Sequence, residues 1–288
     1  MDLLEAANQY YEYLKALDRS PKTIENYKGH LQRLNTCLTA KYNRLLGIDE
    51  IIADDLEKYL FAPPNDKRFS QVTRRDIIKT YKAFFSFCCR NGYTKTNIAT
   101  KLPHIQANPK ERISINEDEL LNILEFIPKE TDKAFIQTLF YAGLRIGEAV
   151  QLTLEDVNIH DNCLYIRKYK SKDDRKVPIS FKLGVILYNY IENCRPETES
   201  KKAFIFTQNH PTCIQKYINA RLREASLQAG QNIPITSHIM RHSFASNLIA
   251  KGVNIVNVQK LLGHKSLKMT NIYLHAHIDT LKKTVNTL

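Results

Sequence analysis

Four short stretches of the 288-residue chain hold the side chains best suited to chemistry. In AGLRIGEAV, Arg145 sits within an otherwise apolar helical pattern, with Glu148 three residues on and on the same helix face. A guanidinium there needs an anionic partner, which is either Glu148 itself or a ligand. In the turn YKSKDDRK, Lys170 and Lys172 can project from a β-hairpin, where a flexible ammonium suits proton donation to a leaving oxygen. In HIMRHSFASNLIAKG, His238 and Arg241 lie one helical turn apart, an imidazole beside a guanidinium that together can bind phosphate. In LLGHKSLKMTNIYLH, His264 follows the helix-ending Gly263, and Tyr273 comes nine residues later, close enough to converge on one site across a short turn and helix.

Taken singly, each stretch has an ordinary explanation. Arg145 and Glu148 can form an ion pair on a solvated face, turns carry lysine for solubility, and Tyr273 can pack on Met269 four residues earlier. The order and the elements around them carry more information. Leu3, Ala7, Tyr10, Leu14 and Leu17 recur at helical spacing, and a second helix opens at Ser20-Pro21 with Ile24, Tyr27, Leu31 and Leu34 on its apolar stripe. Lys22, Lys28, His30 and Arg33 occupy its other faces. Helices are expected over 49–61, ending before Pro63-Pro64, and over 70–90, where Arg74 and Arg75 precede Ile77, Ile78, Tyr81, Phe84 and Phe85. No strand signal occurs in the first hundred residues.

The polar stretch KLPHIQANPKER lacks periodicity and reads as a linker. A new helix starts at Asn116, with Glu119 completing a capping box and Ile115 placed to staple onto Leu120. The expected organisation is an all-helical N-terminal domain at 1–107, a linker at 108–115 and a second domain at 116–288. That second domain mixes periods. Helices are expected over 120–126 and 135–152, strands over 164–169 and 176–180, and helices over 183–194, 213–229, 238–250 and 254–262. The fold class is mainly α with a small antiparallel β-sheet.

The bulk composition narrows the partners. With 42 Lys+Arg against 30 Asp+Glu the formal charge is +12, and both parts are basic, which points to a polyanion gripped from two sides. The six cysteines lack zinc-knuckle spacing, and the acidic residues of MDLLEAANQYYEYLK are unlike a signal peptide. A cytoplasmic protein with reduced cysteines is expected. His275 and His277 have no third ligand nearby in sequence, so no metal is expected there.

Arginine, then hairpin lysine, then HxxR, then LGH and a tyrosine nine residues on resembles the tyrosine recombinase (phage integrase) family, of the two-domain Xer-like type. The resemblance covers nearly the whole chain. SPKTIENYKGHL resembles the second helix of the family's core-binding domain, and GLRIGEAVQLTLEDV its first arginine segment. It implies Tyr273 as nucleophile, Arg145 and Arg241 as the clamp on the scissile phosphate, and Lys170 as acid for the 5′ oxygen, with Lys172 the runner-up because Ser171 stands where glycine is usual. It further implies His264 as a phosphate hydrogen-bond donor, His238 as acid/base partner, and Glu148 as orienter. Lys22, Lys28, Arg33, Arg74, Arg75 and Lys172 become the expected DNA contacts.

No cofactor is implied, since two guanidiniums can neutralise the charge growing on the non-bridging oxygens. The expected partners are double-stranded recombination sites and further copies of the chain, as dimer and tetramer on DNA, with the C-terminal tail around Leu281 and Val285 docking on a neighbour. The expected reaction is cleavage and rejoining through a 3′-phosphotyrosyl bond, in integration, excision or resolution of DNA elements. A type IB topoisomerase would use the same groups, and a chain that kept only the fold would be a DNA-binding or architectural protein. The compact N-terminal helices favour the recombinase, and the full set of side chains favours an enzyme.

Overall fold

The computed structural model describes residues 1–62, 68–106, 113–167, 174–207 and 210–263. The chain divides into two units, Met1–Lys110 and Glu111–Leu288, each with a hydrophobic core of its own.

Among the described residues, the regular elements of the first unit are helices, with one isolated bridge between Asp2 and Gly47. Helix α1 (Leu3–Ala16) opens on a reciprocal cap, in which Asp2 accepts the Glu5 backbone N–H at 2.9 Å and Glu5 accepts that of Asp2 at 3.0 Å. It buries Leu3, Ala7, Tyr10 and Leu14, whereas Leu17 falls one residue beyond the helix and stays exposed. Helix α2 (Pro21–Tyr42) starts on Ser20, whose hydroxyl accepts the Thr23 N–H, and buries Leu31, Leu34 and Leu38. Helix α3 (Ala53–Phe61) begins four residues later than the periodicity predicts. Glu50 instead closes a turn by gripping Arg44 at 2.6 and 2.9 Å, and the buried Asp55 carboxylate accepts the Ile52 N–H, which fixes the helix start there. Helix α4 (Gln71–Arg90) runs Ile77, Tyr81, Phe84 and Phe85 through the core, with the Phe84 ring 5.6 Å from that of Tyr10.

In the second unit, α5 (Glu117–Glu125) has the expected capping box, Asn116 and Glu119 exchanging bonds of 2.9 and 2.7 Å. The preceding Ile115 is buried. Its N–H donates to Ser243 Oγ at 2.8 Å, and its carbonyl accepts from Asn247 at 3.1 Å.

The single helix expected over 135–152 is two, α6 (Glu130–Ala142) and α7 (Ile146–Gln151). Gly143 separates them with φ +61°, a left-handed cap that terminates α6. Any side chain there would collide with the Phe244 ring, because a Cβ would fall 2.3 Å from Phe244 Cδ1. The apolar periodicity passes through this break because the residues on both sides face the same core, so the pattern alone does not reveal it.

Three short antiparallel strands follow in the order β1 (Val157–Asn158), β2 (Cys163–Ile166) and β3 (Arg175–Pro178). Cys163 pairs with Pro178 and Ile166 with Arg175. β1 has only two residues, too few to leave a periodic signal. Helix α8 (Phe181–Asn189) continues into a π-helical turn (Tyr190–Cys194), followed by α9 (Pro211–Gln228), α10 (Ser237–Ala250) and α11 (Ile255–Leu262). Helix α10 packs against both α6 and α11, so the residues it carries meet the ends of those helices.

The Gly143 break yields a direct test. Gly143→Ala combines left-handed strain with overlap on Phe244 and is expected to cost about 2–4 kcal/mol in urea unfolding. Adding Phe244→Ala should relieve the overlap but not the strain, so only part of the loss returns.

Candidate active site

The turn after α6 places Arg145 as the residue capping α7, with extended backbone (φ −69°, ψ 142°), and not inside a helix as the apolar pattern predicts. Glu148 reaches back to it. One carboxylate oxygen accepts the Arg145 backbone N–H at 2.9 Å and the other accepts Arg145 Nη1 at 2.9 Å. The ion pair expected between these residues is therefore present, but it is not on a solvated face, since the Glu148 side chain is only 14% exposed.

Two further arginines turn toward the same carboxylate. Arg175, the first residue of β3, donates from Nη1 and Nη2 to the two Glu148 oxygens at 2.8 and 2.9 Å. Arg241, projecting from α10, brings its Nη1 to 3.8 Å from the same group. Burial by itself would raise the Glu148 carboxyl, but hydrogen bonding and charge from Arg175, with Arg145 behind it, outweigh that and hold it at about 2. Among the described residues, three cations around one anion leave two positive charges in excess, an arrangement that favours an anion.

The three guanidiniums differ in freedom. Arg241 is 8% exposed and donates to the carbonyls of Gly143 at 2.6 Å and Leu262 at 2.5 Å. Those carbonyls lie at the C-terminal ends of α6 and α11, where helices leave acceptors unsatisfied and the dipole favours a cation. Arg175 is 13% exposed and Arg145 is 40% exposed, so Arg145 presents the most accessible charge. His238 is exposed on the first turn of α10, three residues before Arg241. Gly263 caps α11 with φ +62°, and a Cβ on it would come within 3.0 Å of the Arg175 guanidinium, so the chain passes that side chain closely.

The structure thus brings together Arg145, Glu148 and Arg241. Lys170, Lys172, His264 and Tyr273, with His275 and His277, lie outside the described residues. The remaining expected contacts belong to the first unit. Lys22, Lys28 and Arg33 are exposed on α2; Lys22 pairs with Glu25 at 2.8 Å, Lys28 lies 5.7 Å from the Tyr11 ring, and Arg33 donates to the Gly29 carbonyl at 2.8 Å. Arg74 and Arg75 are half-buried at the start of α4; Arg74 donates to the Phe69 carbonyl at 2.9 Å and Arg75 lies 3.7 Å from Asp76.

Arg175 is the member of this cluster that motif reading passed over. The available signal is its alternation with Val177: both fall on one face of β3, and Val177 is fully buried, so an arginine on that face requires an anion.

A family model described as "Phage integrase family" matches residues 114–279, and one described as "Phage integrase, N-terminal SAM-like domain" matches residues 7–92. The tyrosine recombinase XerA of Pyrococcus furiosus is 30% identical, over 98% of this chain and 93% of its own length. Solved structures with the same fold include the Tn1549 transposon integrase in complex with circular intermediate DNA, at a TM-score of 0.78 and 17% identity over all of both chains. A lambda integrase tetramer bound to a Holliday junction has a TM-score of 0.73 at 19% identity, covering 92% of this chain and 78% of the other. No described helix is long and apolar enough to cross a membrane.

Removing the shared carboxylate tests the cluster. Glu148→Gln leaves the buried guanidiniums uncompensated and is expected to lower stability by about 3 kcal/mol at neutral pH. Because the folded Glu148 is depressed from 4.5 to about 2, the difference from wild type should be complete above pH 4.5 and close as pH falls toward 2. Urea titrations across that range measure it.

Proposed function

The chain belongs to the phage integrase family and is a tyrosine recombinase, an enzyme of site-specific DNA strand cleavage and rejoining, and on that premise we propose that its reaction runs through Tyr273 on a phosphate clamped by Arg145 and Arg241. The observation that carries this assignment is the cationic excess around Glu148: Arg145, Arg175 and Arg241 against a single carboxylate.

A phosphodiester resists attack because its oxygens are negative and its alkoxide leaving group is poor. The two guanidiniums neutralise charge on the non-bridging oxygens, and His264 donates a further hydrogen bond to them. The Tyr273 hydroxyl, in line with phosphorus, gives its proton to His238 as it attacks. The new bond is 3′-phosphotyrosyl. The bond to the 5′ oxygen breaks, and Lys170 protonates that oxygen as it leaves. Glu148 keeps Arg145 oriented through the two bonds it accepts from that residue. Attack by a second 5′ hydroxyl reverses each step, so the strands rejoin without an external energy source, the ester having been conserved in the protein link.

Residues 1–107 form the core-binding domain, in which Lys22, Lys28, Arg33, Arg74 and Arg75 contact the DNA backbone, with Lys172 contacting it from the second domain. Residues 108–115 link it to the catalytic domain, 116–288. Both being basic, they grip double-stranded recombination sites from two sides in the cytoplasm, where the chain assembles as dimer and tetramer. The tail around Leu281 and Val285 docks on a neighbouring subunit. The lambda integrase tetramer on a Holliday junction supports this assembly.

Covalent trapping tests the nucleophile. Incubation with nicked DNA fragments should leave a DNA-linked protein band with wild type and none with Tyr273→Phe, while both bind DNA equally; equal trapping by the two would overturn the assignment. Lys170→Ala should slow cleavage by about 10²–10⁴-fold, and a 5′-phosphorothiolate, whose leaving group needs no proton, should restore much of the rate. If only Lys172→Ala behaves this way, the acid is Lys172.

A further inference from the structure

Arg175 has no step in the chemistry above, yet it touches two of the segments that carry it. Its terminal nitrogens hold both oxygens of Glu148, the most directional pairing a guanidinium makes. Arg145, by comparison, has one side-chain bond to that carboxylate. On another side, the Arg175 guanidinium lies against Gly263, so close that a single added carbon would fall 3.0 Å from Cζ, Nε and Nη1. Among the described residues its buried Nε–H has no hydrogen-bond partner. The side chain is held in this pose by the two Glu148 oxygens and by its packing on Gly263.

We propose that Arg175 is a positioning residue for strand cleavage: gripping Glu148 from one side and bearing on Gly263 from the other, it sets the distance between the Arg145 guanidinium and the end of α11. This rests on the reading above, that Arg145 clamps the scissile phosphate. The work requires arginine. Lysine would bring the charge but only a point contact, without the planar fork that holds two oxygens and without a flat face to set against a glycine. Arg175 also connects this spacing to the hairpin, since it is hydrogen-bonded in register with Ile166 at the end of the ladder from which the chain continues toward Lys170.

A pH dependence follows from the groups facing Glu148, which are Arg145 from the start of α7, Arg175 from β3 and Arg241 from α10. With Arg175 in place the carboxyl stays ionised down to about 2. Without it the carboxyl loses the largest of the contributions that oppose burial and rises from about 2, and on protonation it loosens its hold on Arg145. Cleavage should then decline toward acid pH where the wild type does not.

The experiment uses the full chain and the DNA recovered from wild-type covalent complexes, measuring single-turnover cleavage alongside equilibrium binding. Arg175→Lys is expected to bind DNA as wild type does and to cleave about 10²-fold more slowly, the loss expected of a misplaced catalytic group. Arg175→Met should add an acid limb to the pH profile. Arg175→Lys should cost much less in a Glu148→Gln background than in the wild type, because one of the two contacts through which Arg175 acts is that carboxylate. Wild-type rate in Arg175→Lys, or losses that multiply in the double variant, would overturn the inference, and Arg175→Lys decides it even if Arg175→Met fails to fold. Absence of any covalent complex with wild type would instead refute the strand-cleavage reading on which the inference rests.

Discussion

A single carboxylate, Glu148, is the point through which the catalytic unit is organised. A mostly buried anion must be compensated, and here the compensation comes from three places far apart in sequence: the cap of α7, the first residue of β3 and the middle of α10. Satisfying it fixes the turn after α6, the register of the β2–β3 ladder and the facing of α10 at the same time. The surplus of charge that results is usable because Arg145 is partly open to solvent while the other two are not.

Arg241 performs a second structural task with the same guanidinium. By donating to the last carbonyls of α6 and α11, it supplies acceptor-rich helix ends with the donors they lack. The side chain is held by backbone atoms, whose positions are set by whole helices, so its placement is as rigid as the helix packing. Gly143 makes this possible: only a residue without Cβ lets the α6 terminus approach α10 beneath Phe244.

Much of this was legible before any coordinates. The caps at Ser20-Pro21 and Asn116 are local hydrogen-bonding rules and hold as read. The spacing of Arg145 and Glu148 picked out an ion pair that the structure contains, and Arg241 reaches the same carboxylate, while His238 stands exposed one turn before it. What sequence spacing missed are features set by tertiary contact. The break at Gly143 is hidden because both flanking helices bury the same face, and α3 starts late because Asp55 and Glu50 are claimed by partners elsewhere in the chain. Arg175 was passed over because its partner is 27 residues away, a separation for which neither helical nor strand periodicity has a template. His264 and Tyr273, the centre of the sequence argument, were inferred from their order and resemblance, which is a different warrant from geometry.

The double duty of Arg241 bears on how such a protein can change over evolutionary time. A lineage that lost the need for strand cleavage would still need the α6 and α11 ends capped, so selection for folding alone would preserve Arg241. Among the described residues Arg145 has no comparable hold, since its more exposed side chain bonds only a carboxylate that Arg175 already satisfies. The two arginines therefore carry unequal testimony: in a related chain, Arg241 attests to the fold, while Arg145, if it clamps phosphate as proposed, attests to continued use.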